Sequence, residues 1–154
     1  MARIEWDLID LTIATFGAFY QVSFASVVGE SIFSHQHGDW REDDREQVSA
    51  LNDPASGKYV AVAVAAGLRV GYVGWKVDAA RRHGEIDILA VSAEDRRRHV
   101  GAALCDHAVA DMKVRDVEVV AIGTGGDWFQ APARALPESL GFTPFPGVVY
   151  VKAI

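Results

Sequence analysis

Polar and apolar residues alternate from Arg3 to Leu8 (Arg-Ile-Glu-Trp-Asp-Leu), a period of two that predicts a half-buried strand. Asp10 then stands where it can cap a helix running to about Val28, and Gly29 ends it. Ser31 to Asp39 reads as a loop carrying His35 and His37. Asp39 is placed to cap a second helix, Trp40 to Leu51, whose Arg/Glu/Asp-rich face must be solvated, and Asn52-Asp53-Pro54 stops it. From Lys58 the period returns to two. Tyr59–Ala65 and Arg69–Val77 flank a turn at Gly67 and predict a hairpin. A polar link from Asp78 to Gly84 leads to a strand over Glu85–Val91. Val100, Leu104, Ala108 and Met112 recur at four-residue steps and give a helix from about His99 to Arg115 one apolar face. The continuous apolar run Val117–Ile122 predicts a buried strand, broken by Gly123-Thr124-Gly125-Gly126. A short helix over Ala133–Leu140, capped by Gly141, and a final strand over Val148–Val151 complete the pattern. It implies an α/β fold in one domain, 1–154: a mixed, mostly antiparallel sheet with helices on both faces.

At 154 residues the chain is long enough for one real core. Its net charge of −6 argues against nucleic acid as a partner, which needs a broad basic footprint. A single cysteine, Cys105, excludes an internal disulfide and suits a reducing cytoplasm. The apolar-leaning run Leu8–Val28 contains Asp10, Gln21 and several hydroxyl residues and lacks a basic flank, so neither a signal peptide nor a membrane span is expected.

Chemistry concentrates in Gly84–Leu104, GEIDILAVSAEDRRRHVGAAL. A strand there runs into a turn, three arginines and a small-residue helix start. The strand end can offer free N–H groups to an acyl carbonyl, and a helix N-terminus can hold a pyrophosphate. Arginines at that end oppose the helix dipole, so three in a row call for an anion.

Arg96-Arg97-Arg98-His99-Val100-Gly101 resembles the coenzyme A pyrophosphate loop of the GNAT superfamily of N-acetyltransferases, Q/R-x-x-G-x-G/A, with His99 in the first glycine position. Gln130 to Phe142 resembles the family's N-x-x-A-x-x-L-Y-E-x-L-G-F segment, with Gln130 in the Asn position and Pro137 in the Tyr position. The likeness covers roughly Lys58 to the C-terminus. It implies a GNAT-like fold and transfer of acetyl from acetyl-CoA directly to an amine acceptor, a small molecule or a peptide. Arg96, Arg97, Arg98, His99, Val100, Gly101 and Ala102 would hold the pyrophosphate. Backbone groups of Leu89, Ala90 and Val91 would meet the acyl carbonyl and the pantetheine arm, with Gln130 and Arg134 nearby. Histidine lacks the freedom of glycine at positive φ, so fewer amide contacts are expected at His99.

Gly84-Glu85-Ile86-Asp87-Ile88-Leu89-Ala90-Val91 resembles the family's A-E-I-x-x-x-A-I strand, which implies that Glu85 is the general base for the amine. Asp87, two residues on and so on the same face, is the reserve. Each carboxylate could instead pair with Arg81 or Arg82. Pro137 has no ionisable group to protonate the leaving thiolate; Tyr72 and Tyr150 are the candidate substitutes. In the family the loop joining the first two helices borders the acceptor, which makes Phe33, His35 and Trp40 candidate acceptor contacts, with Trp128 on the opposite wall. No metal site is expected from His35 and His37. Cys105 reads as a small helix residue. An edge strand at the C-terminus could pair two copies into a homodimer. The alternative to an enzyme is a catalytically weak acyl-CoA-binding regulatory module, favoured by His99 and Pro137.

Overall fold

The computed structural model describes residues 2–124 and 130–154, with side chains from Asp7 onward. Helix α1 (Ala2–Ala18) continues through a π-helical stretch, Phe19–Phe24, into α2 (Ala25–Val28). Helices α3 (Glu30–His37) and α4 (Trp40–Ser49) follow. Strands β1 (Lys58–Ala65), β2 (Leu68–Asp78) and β3 (His83–Val91) lead to α5 (Val100–Val114), β4 (Val119–Ile122) and α6 (Ala131–Ser139). The sheet order is β1-β2-β3-β4, with the first two pairings antiparallel and β3–β4 parallel.

Three expectations are corrected. Arg3–Leu8 belongs to α1, not to a strand. The helical stripe Leu8, Ile9 and Thr12 is buried against the sheet, and that burial outweighs six residues of alternation. Asp10 therefore lies inside the helix and caps nothing. Ser31–Asp39 is not a loop, since its residues up to His37 form α3. Val148–Val151 pairs with no strand among the described residues: Val148, Val149 and Tyr150 are exposed, leaving their β-propensity without a partner ladder there.

Two apolar layers hold the sheet. On one face Val73, Trp75 and Ile86 pack with Leu104, Cys105, Ala108 and Met112 of α5. On the other, Tyr72, Ile88 and Ala90 pack with Leu8 and Ile9 of α1, Val48 of α4 and Leu51. Alternation within β3 decides which residue reaches which layer, and it is interrupted once. Gly74 pairs with Ile88 and Trp75 with Ile86, leaving Asp87 unpaired in a bulge. Ile86 faces α5, whereas Ile88 faces α4. The pleat is inverted there.

Asp7–Val28 spans 22 residues and contains an 18-residue window of mean hydropathy 1.5, long and apolar enough by length and composition to cross a membrane, and only a small share of that window is buried. Its first turns are nonetheless tied to the sheet: the Thr12 hydroxyl donates to the Leu8 carbonyl and is hydrogen-bonded to the Tyr72 hydroxyl. On the outer side, Tyr20 stacks on Trp40 at 5.1 Å, and His37 meets the edge of Phe24 at 4.9 Å.

Candidate active site

The parallel pairing of β3 with β4 runs only from His83↔Val119 to Ile86↔Ile122. From Asp87 to Val91, β3 has a strand neighbour among the described residues on its β2 side alone. A fork therefore opens beside Leu89, Ala90 and Val91, and it starts at the bulged residue. Every second backbone group of a strand points to each side, so part of this stretch has its donors turned toward the fork.

The helix that follows opens at the same end of the sheet. Its first intrahelical bond is donated by the Ala103 N–H to the His99 carbonyl at 3.0 Å, which leaves the amides of Val100, Gly101 and Ala102 ahead of the ladder. No side chain caps it. His99 sits at φ 61 and Arg97 at φ 62. The loop thus holds at position 99 the left-handed conformation that glycine supplies in the family motif, and the expected loss of that geometry is not found. Arg96, Arg97, Arg98 and His99 are all exposed. The Arg96 Nε–H donates to the Val91 carbonyl at 3.4 Å, and Arg98 lies 3.4 Å from Asp95, itself held by the Ser92 hydroxyl at 2.6 Å.

Gly101 brings the second motif to this place. A Cβ there would stand 3.3 Å from Leu136 of α6 and 3.7 Å from Leu89, so the absent side chain lets α6 close on the fork. Gln130 precedes α6 and its Oε1 accepts from the Thr124 hydroxyl at 2.9 Å; Arg134 lies one turn on. The helix runs through the buried Pro137 to Ser139 and ends in a paired turn. There the Phe142 N–H donates to the Pro137 carbonyl at 3.0 Å and the Gly141 N–H (φ 85) to that of Glu138 at 3.2 Å.

Glu85 and Asp87 do share a face, as the sequence predicts. They are joined by a residue it did not single out: Lys76 Nζ lies 3.0 Å from a carboxylate oxygen of each. The hydrogen bond to Asp87, then that to Glu85, raises the Lys76 pKa above its ordinary value. Arg81 and Arg82 are engaged elsewhere, with Asp78 at 3.7 Å and Glu118 at 2.5 Å. Beside Asp87 lies a cavity of about 100 Å³ lined by Gln47, Ala50, Leu51, Lys58 and Trp75. Part of the wall beside Asp87 thus comes from the last turn of α4 and the two residues that follow it.

The other acceptor candidates are not gathered here. Trp40 is buried and stacked on Tyr20. Phe33 and His35 lie on α3, whose main packing partner is α2, and the His35 ring is bonded to the Ser31 carbonyl at 2.7 Å. Trp128 lies outside the described residues. Neither tyrosine is placed to serve as an acid. Tyr72 is fully buried, its hydroxyl tied to Thr12 and pushed up to about 12 by burial, and Tyr150 stands 91% exposed in the C-terminal segment. Burial pushes the Cys105 thiol up to about 11, with Asp106 adding to it, which withholds the thiolate a covalent route requires. Among the described residues, no three His, Cys, Asp or Glu side chains form a metal-holding group.

The missed residues have a common reason. Lys76 becomes a partner of Glu85 only through the β2–β3 register, Lys58 comes near Asp87 only through the β1–β2 register beside it, and Gln47 only through packing of α4 on the sheet.

Comparison with solved structures gives the same architecture. An acetyltransferase of the GNAT family from Staphylococcus aureus Mu50 aligns with a TM-score of 0.69 over 94% of this chain and 81% of its own, at 15% identity. The PaiA N-acetyltransferase of Thermoplasma acidophilum, solved with coenzyme A, aligns at 0.66 over 92% and 84%, with 14% identity. The ribosomal-protein-S18-alanine N-acetyltransferase of Escherichia coli aligns at 0.57 with 20% identity, over 66% of this chain but only 62% of that one. At these identities the likeness is one of fold. No curated protein matches the chain in sequence. The Acetyltransferase (GNAT) family profile matches residues 22–142 and so takes in both motifs, the fork and the carboxylate pair. The chain belongs to the GNAT family of acetyltransferases.

Proposed function

We propose that this protein is an acetyl-CoA-dependent N-acetyltransferase working by direct transfer to an amine acceptor. The observation that carries this reading is the parting of β3 from β4 at Asp87, next to the uncapped start of α5 with three exposed arginines. The pyrophosphate would take the amides of Val100, Gly101 and Ala102 and the guanidinium groups of Arg96–Arg98. The pantetheine arm would lie along Leu89–Val91, with Gln130 and Arg134 at its side. Open amides of β3 would stabilise charge on the acyl oxygen as the tetrahedral intermediate forms.

An amine acceptor arrives as an ammonium and must lose a proton before it attacks. Glu85, directly or through water, takes that proton in this reading, with Asp87 in reserve. The thiolate leaves without a side-chain acid, which its ordinary pKa of about 8.5 permits. Asp87 on the wall of a small cavity, with Glu85 on the same strand face, favours a cationic amine, in a small molecule or a peptide. No metal takes part, and the protein is read as cytoplasmic, without a nucleic-acid or membrane partner, and as a candidate homodimer.

Replacing Arg96, Arg97 and Arg98 together is expected to weaken coenzyme A more than its dephosphorylated pantetheine fragment in calorimetry; an equal loss would contradict the phosphate assignment. Glu85→Gln is expected to slow thiol release over an amine panel at neutral pH while leaving cofactor affinity nearly unchanged. A second reading, an acyl-CoA-binding module with little turnover, is favoured by Pro137 together with the ill-placed tyrosines. Tight acetyl-CoA binding with no thiol release for any amine would select it.

A further inference from the structure

Helix α4 is seated on the rest of the protein through one narrow stripe. Its sequence is strongly polar, and only Trp40, Asp44 and Val48, at four-residue steps, are buried. A stripe of that spacing ordinarily carries apolar residues, yet here its centre is a carboxylate. Asp44 is buried and its Oδ2 has no partner among the described residues. On either side of it Trp40 stacks on Tyr20, and Val48 joins Leu8, Ile9 and Ile88 in the core layer. The titratable groups that face Asp44 are Tyr20 from the segment after α1, Tyr72 from β2 and Asp43 beside it, and none is a cation. From α1 the buried side chains are Leu8, Ile9 and Thr12, none of them titratable. An ionised Asp44 therefore has neither water nor a counter-ion while α4 is seated, and the neutral acid is the cheaper form.

The same helix leads into the candidate acceptor cavity. Gln47 in its last turn, with Ala50 and Leu51 just beyond, lines that cavity together with Lys58, Trp75 and Asp87. Asp44 lies within one turn of Gln47, so a change in the seat of the stripe moves this wall.

We propose that α4 is a pH-controlled wall of the acceptor cavity, seated while Asp44 is protonated and released when Asp44 ionises. This rests on the reading above that the acceptor docks beside Asp87. Lifting α4 hydrates the Asp44 carboxylate, so opening is linked to the loss of one proton. Burial, with Asp43 beside it, pushes the seated carboxyl from 3.8 up to about 6, and hydration in the lifted helix returns it toward 3.8. The opening constant of α4 then grows on the order of fiftyfold from about pH 4 to about pH 7. An acceptor that needs the seated wall binds more weakly as the seated fraction falls.

Amide hydrogen exchange of the full chain, with no acetyl-CoA or amine present, tests the device. After correction for the intrinsic exchange rate, protection of Val48, Ala50 and Leu51 is expected to fall on the order of fiftyfold from about pH 4 to about pH 7, while Leu104 and Ala108 of α5 keep theirs. Asp44→Asn should flatten the α4 profile. Asp44→Leu, which completes the apolar stripe, should keep α4 protected throughout. A flat profile in the wild type, an unaltered pH dependence in Asp44→Asn, or an equal fall in α5, the mark of global unfolding, would each overturn the proposal. The amine KM of the wild type relative to Asp44→Asn should rise severalfold from about pH 5 to about pH 8, with the kcat ratio nearly constant. A flat KM ratio beside pH-dependent exchange would overturn the role of α4 at the acceptor. Absence of turnover with every amine would reject the transferase reading instead, and the exchange profile would still decide whether α4 is released.

Discussion

Asp44 is costly to the fold at neutral pH. It lies on the inner face of α4, 4% exposed, and its Oδ2 has no hydrogen-bond partner among the described residues. Burial, with Asp43 beside it, pushes its carboxyl from an ordinary 3.8 up to about 6. Below pH 3.8 the folded and unfolded chains both hold this proton, and nothing is lost. Between 3.8 and 6 the unfolded chain has released a proton that the folded chain still binds, so stability falls as pH rises. Above 6 the loss is complete and amounts to up to about 3 kcal/mol, at 1.36 kcal/mol per pH unit. Asp44→Asn keeps the shape and removes the charge. Its stability relative to the wild type, from urea unfolding, is expected to rise by up to about 3 kcal/mol between about pH 3.5 and about pH 8, mostly from about pH 4 to about pH 6.5. Any constant cost of placing an amide there cancels in that comparison. Asp53, stabilised by Ser56, and Asp111, stabilised by Arg115, work in the opposite direction at lower pH but are common to both proteins. A difference that stays flat with pH would show that Asp44 is ionised and solvated in the folded state, and the argument would fail.

His99→Gly is expected to stabilise the chain by up to about 1 kcal/mol, since it releases a left-handed residue at the cost of some chain entropy; a lower thermal midpoint would refute the φ of 61 at this position. Gly84→Ala drives a Cβ into the Met112 sulfur and should cost about 1–3 kcal/mol in denaturant unfolding, with unchanged stability showing that α5 stands farther from β3. Cys105 should resist thiol reagents at neutral pH until the protein unfolds, as its burial and raised pKa require; rapid labelling of the folded chain would contradict its place in the core.

Much of this protein was legible as periodicity. The β1–β2 hairpin, β3, α5 and β4 lie within a residue or two of where the pattern puts them, because each packs at least one face on a core layer. Strand β4 is only partly covered, with Val119 exposed, and is not the buried strand its apolar run predicts. The two motifs also read correctly as neighbours, joined in space through Gly101 and Leu136. The first forty residues read correctly only in part: the helix to Val28 ended by Gly29 is found, but the Arg3–Leu8 strand and the Ser31–Asp39 loop are not. Their apolar residues are too evenly spread to set one period, and it took Tyr72 and Ala90 on the sheet to select the helical stripe Leu8, Ile9, Thr12.

Local pattern by itself determined the family, the number and kind of most elements, and the shared face of Glu85 and Asp87, since these depend on spacing along one segment. Tertiary structure alone decided that β3 bulges at Asp87, that β4 abandons it there, and that Lys76 sits between the two carboxylates. Register, strand divergence and cross-strand charge pairing arise from where separate segments meet in space, and no segment's own residues encode that meeting.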